Sequence, residues 1–333
     1  MRFRLSSAHL AWRIGVRVAV KSFCDTRLEF FRFASFESLP VTPPDYEYLR
    51  KLLKYHSGLD LSADKQYLIE SRLLPLSQKA GLSGISELVQ KMKGGAASIA
   101  TQVVEAMTTN ETFFFRDKVP FEHFRDSIMP QILRARASRK SIRIWCAAGS
   151  TGQEPYSLAT CLKEMSTAIA GWRIEILATD LSQEVLEKSR SGIYSQFEVQ
   201  RGLPIQMLLK YFKQVGELWQ INPDIRAMVQ HRQLNLLHDF SALGAFDVIF
   251  CRNVLIYFDQ DTKINTFNRL ARATEPDGFL VLGAAETVVG LTDAFKPCPQ
   301  RASLFRPGAA RATPTKMPAV GVVAPKVAVM ASL

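Results

Sequence analysis

The 333-residue chain is long enough for one large domain or two ordinary ones, and its 47% hydrophobic content is that of a globular protein with a real core, which excludes disorder as a whole. The formal net charge of +11 is concentrated at the ends: residues 1–40 hold seven Lys/Arg against three Asp/Glu, and residues 306–333 hold four against none. The body between them is left near +3, too little to demand a polyanionic partner by itself.

Cys24, Cys146, Cys161, Cys251 and Cys298 are scattered, with no CxxC pair and no Cys/His cluster at zinc spacing. Neither a disulfide framework nor a structural metal is expected, and a reducing, cytoplasmic setting fits. No run reaches the roughly 18–20 apolar residues that a membrane-spanning helix needs.

Residues 1–42 are basic and aromatic without a clean period and run into the breaker "LPVTPP". Arg13 and Arg17 interrupt the only stretch with signal-peptide character. The segment reads as an appendage, disordered or an over-extended translation start, with an amphipathic membrane-surface helix as the sharper alternative.

Residues 43–107 carry a helical pattern. "DYEYLRKLLKYHSG", "SADKQYLIESRLLPLSQKAG" and "GISELVQKMKGG" each place apolar residues three or four apart and close on glycine. Ser62 and Asp64 are the expected caps of the second helix, whose outer face is predicted to carry Lys65, Arg72 and Lys79. Such a basic face is either solvated surface or a meeting place for an acidic helical partner.

Residues 108–140 form a linking segment that opens with "TTNETFFFRDKVPFEHF", three adjacent phenylalanines between Glu111 and Arg116. Beyond Ser141 the period shortens. "IRIWCAAG", "WRIEILATD", "MVQHRQLNLL", "FDVIFCRN" and "GFLVLGAAE" read as buried strands, mostly spaced by helix-length segments, so a parallel α/β sheet is predicted over 141–307, closed by a last strand pair in "FKPCPQRASLFRP". The stretch at about 191–227 is longer than a simple crossover, and the Ala/Pro/Val-rich residues 308–333 read as a flexible tail.

The architectural signal for chemistry is "IRIWCAAGSTGQEPYSLA", a strand running through Gly149 and Gly152 into a helix near Glu154. Glycines there either let the backbone approach a ligand at the carboxyl end of the sheet or serve only tight turning. Asp180 closes the next strand, 28 residues after Gly152. An acid at that place can accept both hydroxyls of a ribose, although it could instead cap the helix "LSQEVLEKSR", a role open to Ser182 as well. The turn has neither GxGxxG nor GKS/GKT, and no spare cation for a pyrophosphate. An adenosyl ligand without phosphates, S-adenosylmethionine (SAM), is therefore expected. Its ribose would lie on Asp180, and its sulfonium and α-amino charges near an acid such as Glu154.

"NETFFFRD", "IRIWCAAGSTGQEPYSLA", "ATDLSQEVLEKSRSGIYS" and "FDVIFCRNVLIYFD", in this order, resemble the chemotaxis receptor methyltransferases of the CheR family, over roughly four fifths of the chain, about Pro44 to Pro307. The resemblance implies a Rossmann-like SAM-dependent methyltransferase fold with a mostly parallel seven-stranded sheet, a small N-terminal all-helical domain and an inserted antiparallel β-subdomain. It implies methylation of glutamate side chains on chemoreceptor helices, giving glutamyl 5-O-methyl esters and S-adenosylhomocysteine (SAH). By motif, Asn110, Thr112, Arg116, Glu154, Asp180, Asn235, Leu236, Arg252 and Asn253 would contact the cofactor, with Arg116 and Tyr257 nearest the transferred methyl.

With "KQVGELWQ" and no glycine cluster in the β-subdomain, the chain resembles members that need no C-terminal receptor tether. A monomer with no metal and no nucleic-acid partner is expected. A nucleic-acid amine methyltransferase would carry an NPPY-type turn where this chain reads "CRNVLIY", and a non-catalytic binding module would not need the full residue set retained here. Alternate phenylalanines of the FFF run are expected to bury, turning Asn110, Thr112 and Arg116 toward the cofactor.

Overall fold

The computed structural model describes residues 41–308. The expectations for residues 1–40 and for the tail beyond Gly308 lie outside it. Within the residues that are described, Val41 is buried and Thr42 caps the first helix, accepting from Asp45 N at 3.3 Å, so these two belong to the helical unit that follows.

Four helices open the described chain: α1 (Pro43–Ser57), α2 (Gln66–Lys79), α3 (Ile85–Lys93) and α4 (Ala97–Met107). Their apolar faces meet around Leu49, Leu53, Ile69, Leu73, Leu88 and Val103. Two local expectations fail. Ser62 bonds the Asp64 carboxylate instead of capping α2, and Lys65 takes the cap position without a side-chain bond, although the far end does close on glycine, with Gly81 at φ +70 donating to Gln78 O at 3.0 Å. Arg72 does not project outward: it donates to Met107 O at 2.7 Å, Thr108 O at 3.0 Å and Thr109 Oγ1 at 3.0 Å, fastening the start of the next segment to α2.

That segment turns into α5 (Val119–His123), one π-turn (Phe124–Ile128) and α6 (Met129–Ala135). Phe114 and Phe115, adjacent rather than alternate, are the buried phenylalanines. Phe115 has φ +51, so the backbone is turned there and the two-residue alternation of an extended strand does not apply. Phe114 packs edge-on against Tyr194 and Phe212, and Phe115 against Phe121, which stacks on Phe250. Phe113 lies between the Arg116 and Arg201 guanidinium groups, 5.7 and 4.5 Å from its ring centre.

The rest of the chain runs β1 (Ser141–Ala147), α7 (Gln153–Glu164), β2 (Arg173–Asp180), α8 (Gln183–Ser191), then an insertion of β3 (Ile193–Ser195), α9 (Gln196–Gln200), α10 (Ile205–Tyr211), β4 (Phe212–Val215) and β5 (Leu218–Ile221). It continues through α11 (Pro223–Arg226), β6 (Val229–Gln233), β7 (Phe246–Cys251), α12 (Gln260–Arg272), β8 (Thr274–Leu282), β9 (Phe295–Pro297) and β10 (Leu304–Pro307). The seven-stranded sheet has the order β6-β2-β1-β7-β8-β10-β9, parallel from β6 to β8 and antiparallel at β10 and β9. The insertion makes a separate antiparallel sheet, β3-β5-β4.

Ala147 pairs with Thr179 of β2 on one side and Cys251 of β7 on the other, so three strand ends finish level. The strand order reverses at β1, and the crevice outside such a reversal is where open α/β sheets bind ligands. At the opposite end, Arg136 is bound to Asp247 at 2.6 Å and to Asp277, locking α6 to β7 and β8. No helix among the described residues is long and apolar enough to cross a membrane.

Candidate active site

The loop after β1 is tight and strained. Ala148 and Ser150 have φ of +66 and +49, and Gly152 has +98. Gly149 and Gly152 are not among the residues that line the cleft. A Cβ on Gly149 would stand 3.3 Å from Ala178 Cβ, and one on Gly152 would run into Ser189 Oγ and reach Tyr194 OH at 2.9 Å. Their smallness lets the loop and α7 pack onto β2 and α8, the turning role; Ala148 and Ser150 are the residues that line the cleft.

Asp180, at the end of β2, is buried. One carboxylate oxygen accepts from Ser150 N at 2.9 Å and the other from Ser182 N at 3.1 Å, so it ties the β1 loop to the β2 loop. Ser182 is the cap of α8, which leaves Asp180 free of that duty. Burial pushes the Asp180 pKa up, against the pull of the backbone N–H groups it accepts.

Glu154, the acid expected near the ligand's positive charges, lies on the first turn of α7, where Arg252 Nη1 donates to it at 2.9 Å. Arg252 also donates through Nη2 to Asp117 at 2.7 Å and to the Arg116 carbonyl at 2.8 Å. Burial raises the Glu154 pKa, and the adjacent guanidinium opposes the rise. The three side chains together carry one net negative charge, which suits a cationic ligand. Arg252 Nε is a buried donor without a partner among the described residues, a place where a ligand carboxylate would be satisfied.

Asn235 spends its side chain on the scaffold. Nδ2 donates to His56 O of α1 at 2.7 Å, and Oδ1 accepts from Leu237 N at 2.9 Å. The adjoining Leu236, whose carbonyl is held by Arg269 at 2.6 Å, offers the apolar wall that an adenine ring needs. In the linking segment Arg116 pairs with neither Glu111 nor Asp117 side chains; it donates to the Glu111 carbonyl at 2.7 Å. The Asn110 carbonyl accepts from Ser150 Oγ at 2.9 Å. Thr112 lies beside them, and Tyr257 ends the short turn after β7, where Asn253 has φ +57.

All ten residues singled out from the sequence line one cleft, enclosing about 1000 Å³ with its open mouth included. The sequence reading missed Ser57 and Leu59, contributed by the end of α1, and Ser150, Val254 and Phe258. Helix α1 reaches the cleft because Gly58 ends it at φ +78 against the Phe258 ring and Asp60 N donates to Tyr257 O at 2.9 Å. The "GS" beside the predicted glycine turn was a usable signal for Ser150; nothing local marked the others. Of the nine non-glycine residues with positive φ among the described residues, Ala148, Ser150 and Asn253 line this cleft, and Phe115 and Asp117 flank Arg116, which also lines it.

Two family descriptions match the chain: "CheR methyltransferase, all-alpha domain" over residues 44–108 and "CheR methyltransferase, SAM binding domain" over residues 110–304. Chemotaxis protein methyltransferase 1 of Pseudomonas aeruginosa is 40% identical over 256 residues, covering 76% of this chain and 93% of the relative. Chemotaxis protein methyltransferase 1 of Vibrio cholerae is 38% identical over 263 residues (78% and 94%), and the chemotaxis protein methyltransferase of Escherichia coli 32% over 265 residues (78% and 90%). With its helical domain, its SAM-binding sheet domain and SAM as cofactor, the chain belongs to the CheR methyltransferase family.

Proposed function

We propose that this protein is a protein-glutamate O-methyltransferase acting on the cytoplasmic helices of methyl-accepting chemoreceptors. It would form glutamyl 5-O-methyl esters for sensory adaptation and release SAH. The reading rests on one observation above all. Arg116 and Tyr257 share the cleft with the cofactor residues, and no His, Lys or Cys lines it among the described residues.

Bound SAM supplies a methyl group on a sulfonium. A glutamate is ionised at neutral pH, so it needs no base to become a nucleophile, unlike an amine or hydroxyl. Its carboxylate oxygen would take the methyl group that SAM supplies, the electron pair of the broken S–CH3 bond would stay on sulfur, and no proton would move. The chain's task is alignment and partial desolvation of two opposite charges. Arg116 holds the incoming carboxylate through its fork of donors, and Tyr257 donates one hydrogen bond and shields the site from water. Asn110, Thr112, Glu154, Asp180, Asn235, Leu236, Arg252 and Asn253 hold the cofactor, through side chains or through the loops they fix.

Lys65, at the cap of α2, and Lys79, in its last turn, are where an acidic receptor helix would meet this domain. The β4–β5 turn is only Gly216–Glu217, which supports a member that works without a receptor tether. The test is incubation with methyl-labelled SAM and receptor-bearing membranes, followed by alkali. Labelled methanol released from the receptor band is expected; label in nucleic acid, or on receptor in alkali-stable form, would overturn the reading.

A further inference from the structure

The turn that carries Asn253 and Tyr257 has two backbone hydrogen bonds of its own, from Tyr257 N to Val254 O at 3.2 Å and from Phe258 N to Leu255 O at 3.1 Å, and both lie in its second half. After β7 the chain takes φ +57 at Asn253 and then one 3₁₀ turn, Leu255–Tyr257. Backbone N–H groups at the start of such a turn have no partner within it. Here they converge on one distant side chain. Glu286, 9% exposed and past the end of β8, accepts from Asn253 N at 2.8 Å through Oε2, and through Oε1 from Val254 N at 3.1 Å, Leu255 N at 2.9 Å and Ile256 N at 3.3 Å. Gly283 N completes the cage at 2.8 Å. Five backbone donors on one carboxylate is an anion site filled by the protein itself.

The fit is close. A Cβ on Gly283 would lie 2.7 Å from Asn253 Nδ2 and 2.9 Å from Glu286 Oε2, so a side chain there would have to displace one or both. Glu286 is also near enough to Glu154 to add to its raised pKa.

We propose that Glu286 is a positioning residue: its caged carboxylate fixes the 253–257 turn in the conformation that presents Asn253 to the cofactor and Tyr257 to the transferred methyl. It touches neither ligand itself, since it does not line the cleft. The part concerning Tyr257 rests on the glutamate chemistry proposed above and the part concerning Asn253 on the cofactor contact proposed there, and the test uses the latter.

Glu286→Gln keeps the shape but turns an amide donor toward N–H groups that need an acceptor, and Gly283→Ala keeps the charge but forces the turn outward. Kd for SAH and for SAM is measured by calorimetry on the full chain, beside Tm. Asp277→Asn, which breaks the pair with Arg136 at the far end of the sheet, is the control for a merely destabilised protein. Both test variants are expected to weaken SAH and SAM by the same factor, about tenfold or more, as loss of charged hydrogen bonds predicts, while Asp277→Asn lowers Tm and leaves both Kd values alone. Unchanged Kd in the test variants, equal weakening by Asp277→Asn, or a loss confined to SAM, which would mark a charge effect on the sulfonium, would each overturn the proposal. None of these readouts depends on a receptor.

Discussion

Arg252 and Glu154, 98 residues apart in the chain, meet at 2.9 Å inside the cleft with both side chains almost wholly removed from water. A desolvated pair of this kind is held by geometry, and removing one member strands the other.

Arg252→Met is therefore expected to cost about 3–5 kcal/mol at neutral pH. Burial already lifts the Glu154 pKa above its ordinary 4.5, and loss of the guanidinium lifts it further. A raised carboxylate pKa gives stability that is present below the unfolded value and lost as pH rises through the folded one. The deficit against the parent protein should therefore be small near pH 4.5 and grow toward pH 8. Urea-unfolding midpoints across that range check this; a deficit independent of pH would contradict it.

Asp180→Asn should weaken SAH binding nearly as much as Asp180→Ala. Both oxygens already accept backbone N–H groups, from Ser150 and Ser182, so an amide nitrogen in either position faces a donor. A loss of about 10- to 100-fold in Kd is expected for both, from one or two charged hydrogen bonds. Calorimetry that found Asn close to the parent would show that the loop ties matter little.

Arg116→Ala should act mainly on turnover. The side chain is tied to the Glu111 carbonyl and lies over Phe113, with no carboxylate partner among the described residues. A fall of roughly 100-fold in kcat is expected with a change in SAM Kd of only about threefold, the pattern for a group that orients the reacting carboxylate. An unchanged kcat would remove Arg116 from the mechanism.

Asp259 caps α12 and binds Lys54 of α1 at 2.7 Å. The Lys54 ammonium and the Thr262 N–H hold its pKa down to about 2. A depressed carboxylate pKa contributes stability above the unfolded value that is lost as pH falls through the folded one. Asp259→Asn keeps a capping oxygen but loses the half-exposed ion pair, so its cost should be at most about 1 kcal/mol above pH 4 and vanish toward pH 2. Paired denaturation curves from pH 6 downward measure it.

Gly202→Ala should disturb the FFF segment directly. Gly202 has φ +86, and its Cβ would overlap the Phe114 carbonyl. Gly216, at φ +62 with nothing within 4 Å, is the comparison: alanine there pays only the left-handed backbone, about 1 kcal/mol. Gly202→Ala is expected to lower Tm further than Gly216→Ala and, unlike it, to reduce kcat.

The sequence by itself determined what repeats locally or is written in contiguous motifs. The alternation of apolar runs and helix-length spacers set the α/β sheet, because burial of strands and packing of helices need only a local period. Its motifs carried ten residues that do meet in one cleft. Tertiary structure alone decided how those residues are spent. Glu154 is paired, not free; Asn235 reaches 179 residues back to His56; Arg72 turns inward to Met107 and Thr108; Glu286 holds a turn more than 30 residues upstream. The FFF run marks the boundary between the two kinds of information. Its hydrophobicity announced an anchor, but Phe114 packs against Phe212 of the small antiparallel sheet and Phe115 against Phe121 of α5, because the positive φ at Phe115 breaks the alternation. Hydrogen bonds and charge pairs between remote segments depend on where the folded backbone brings them. A single chain read linearly carries no term for that distance.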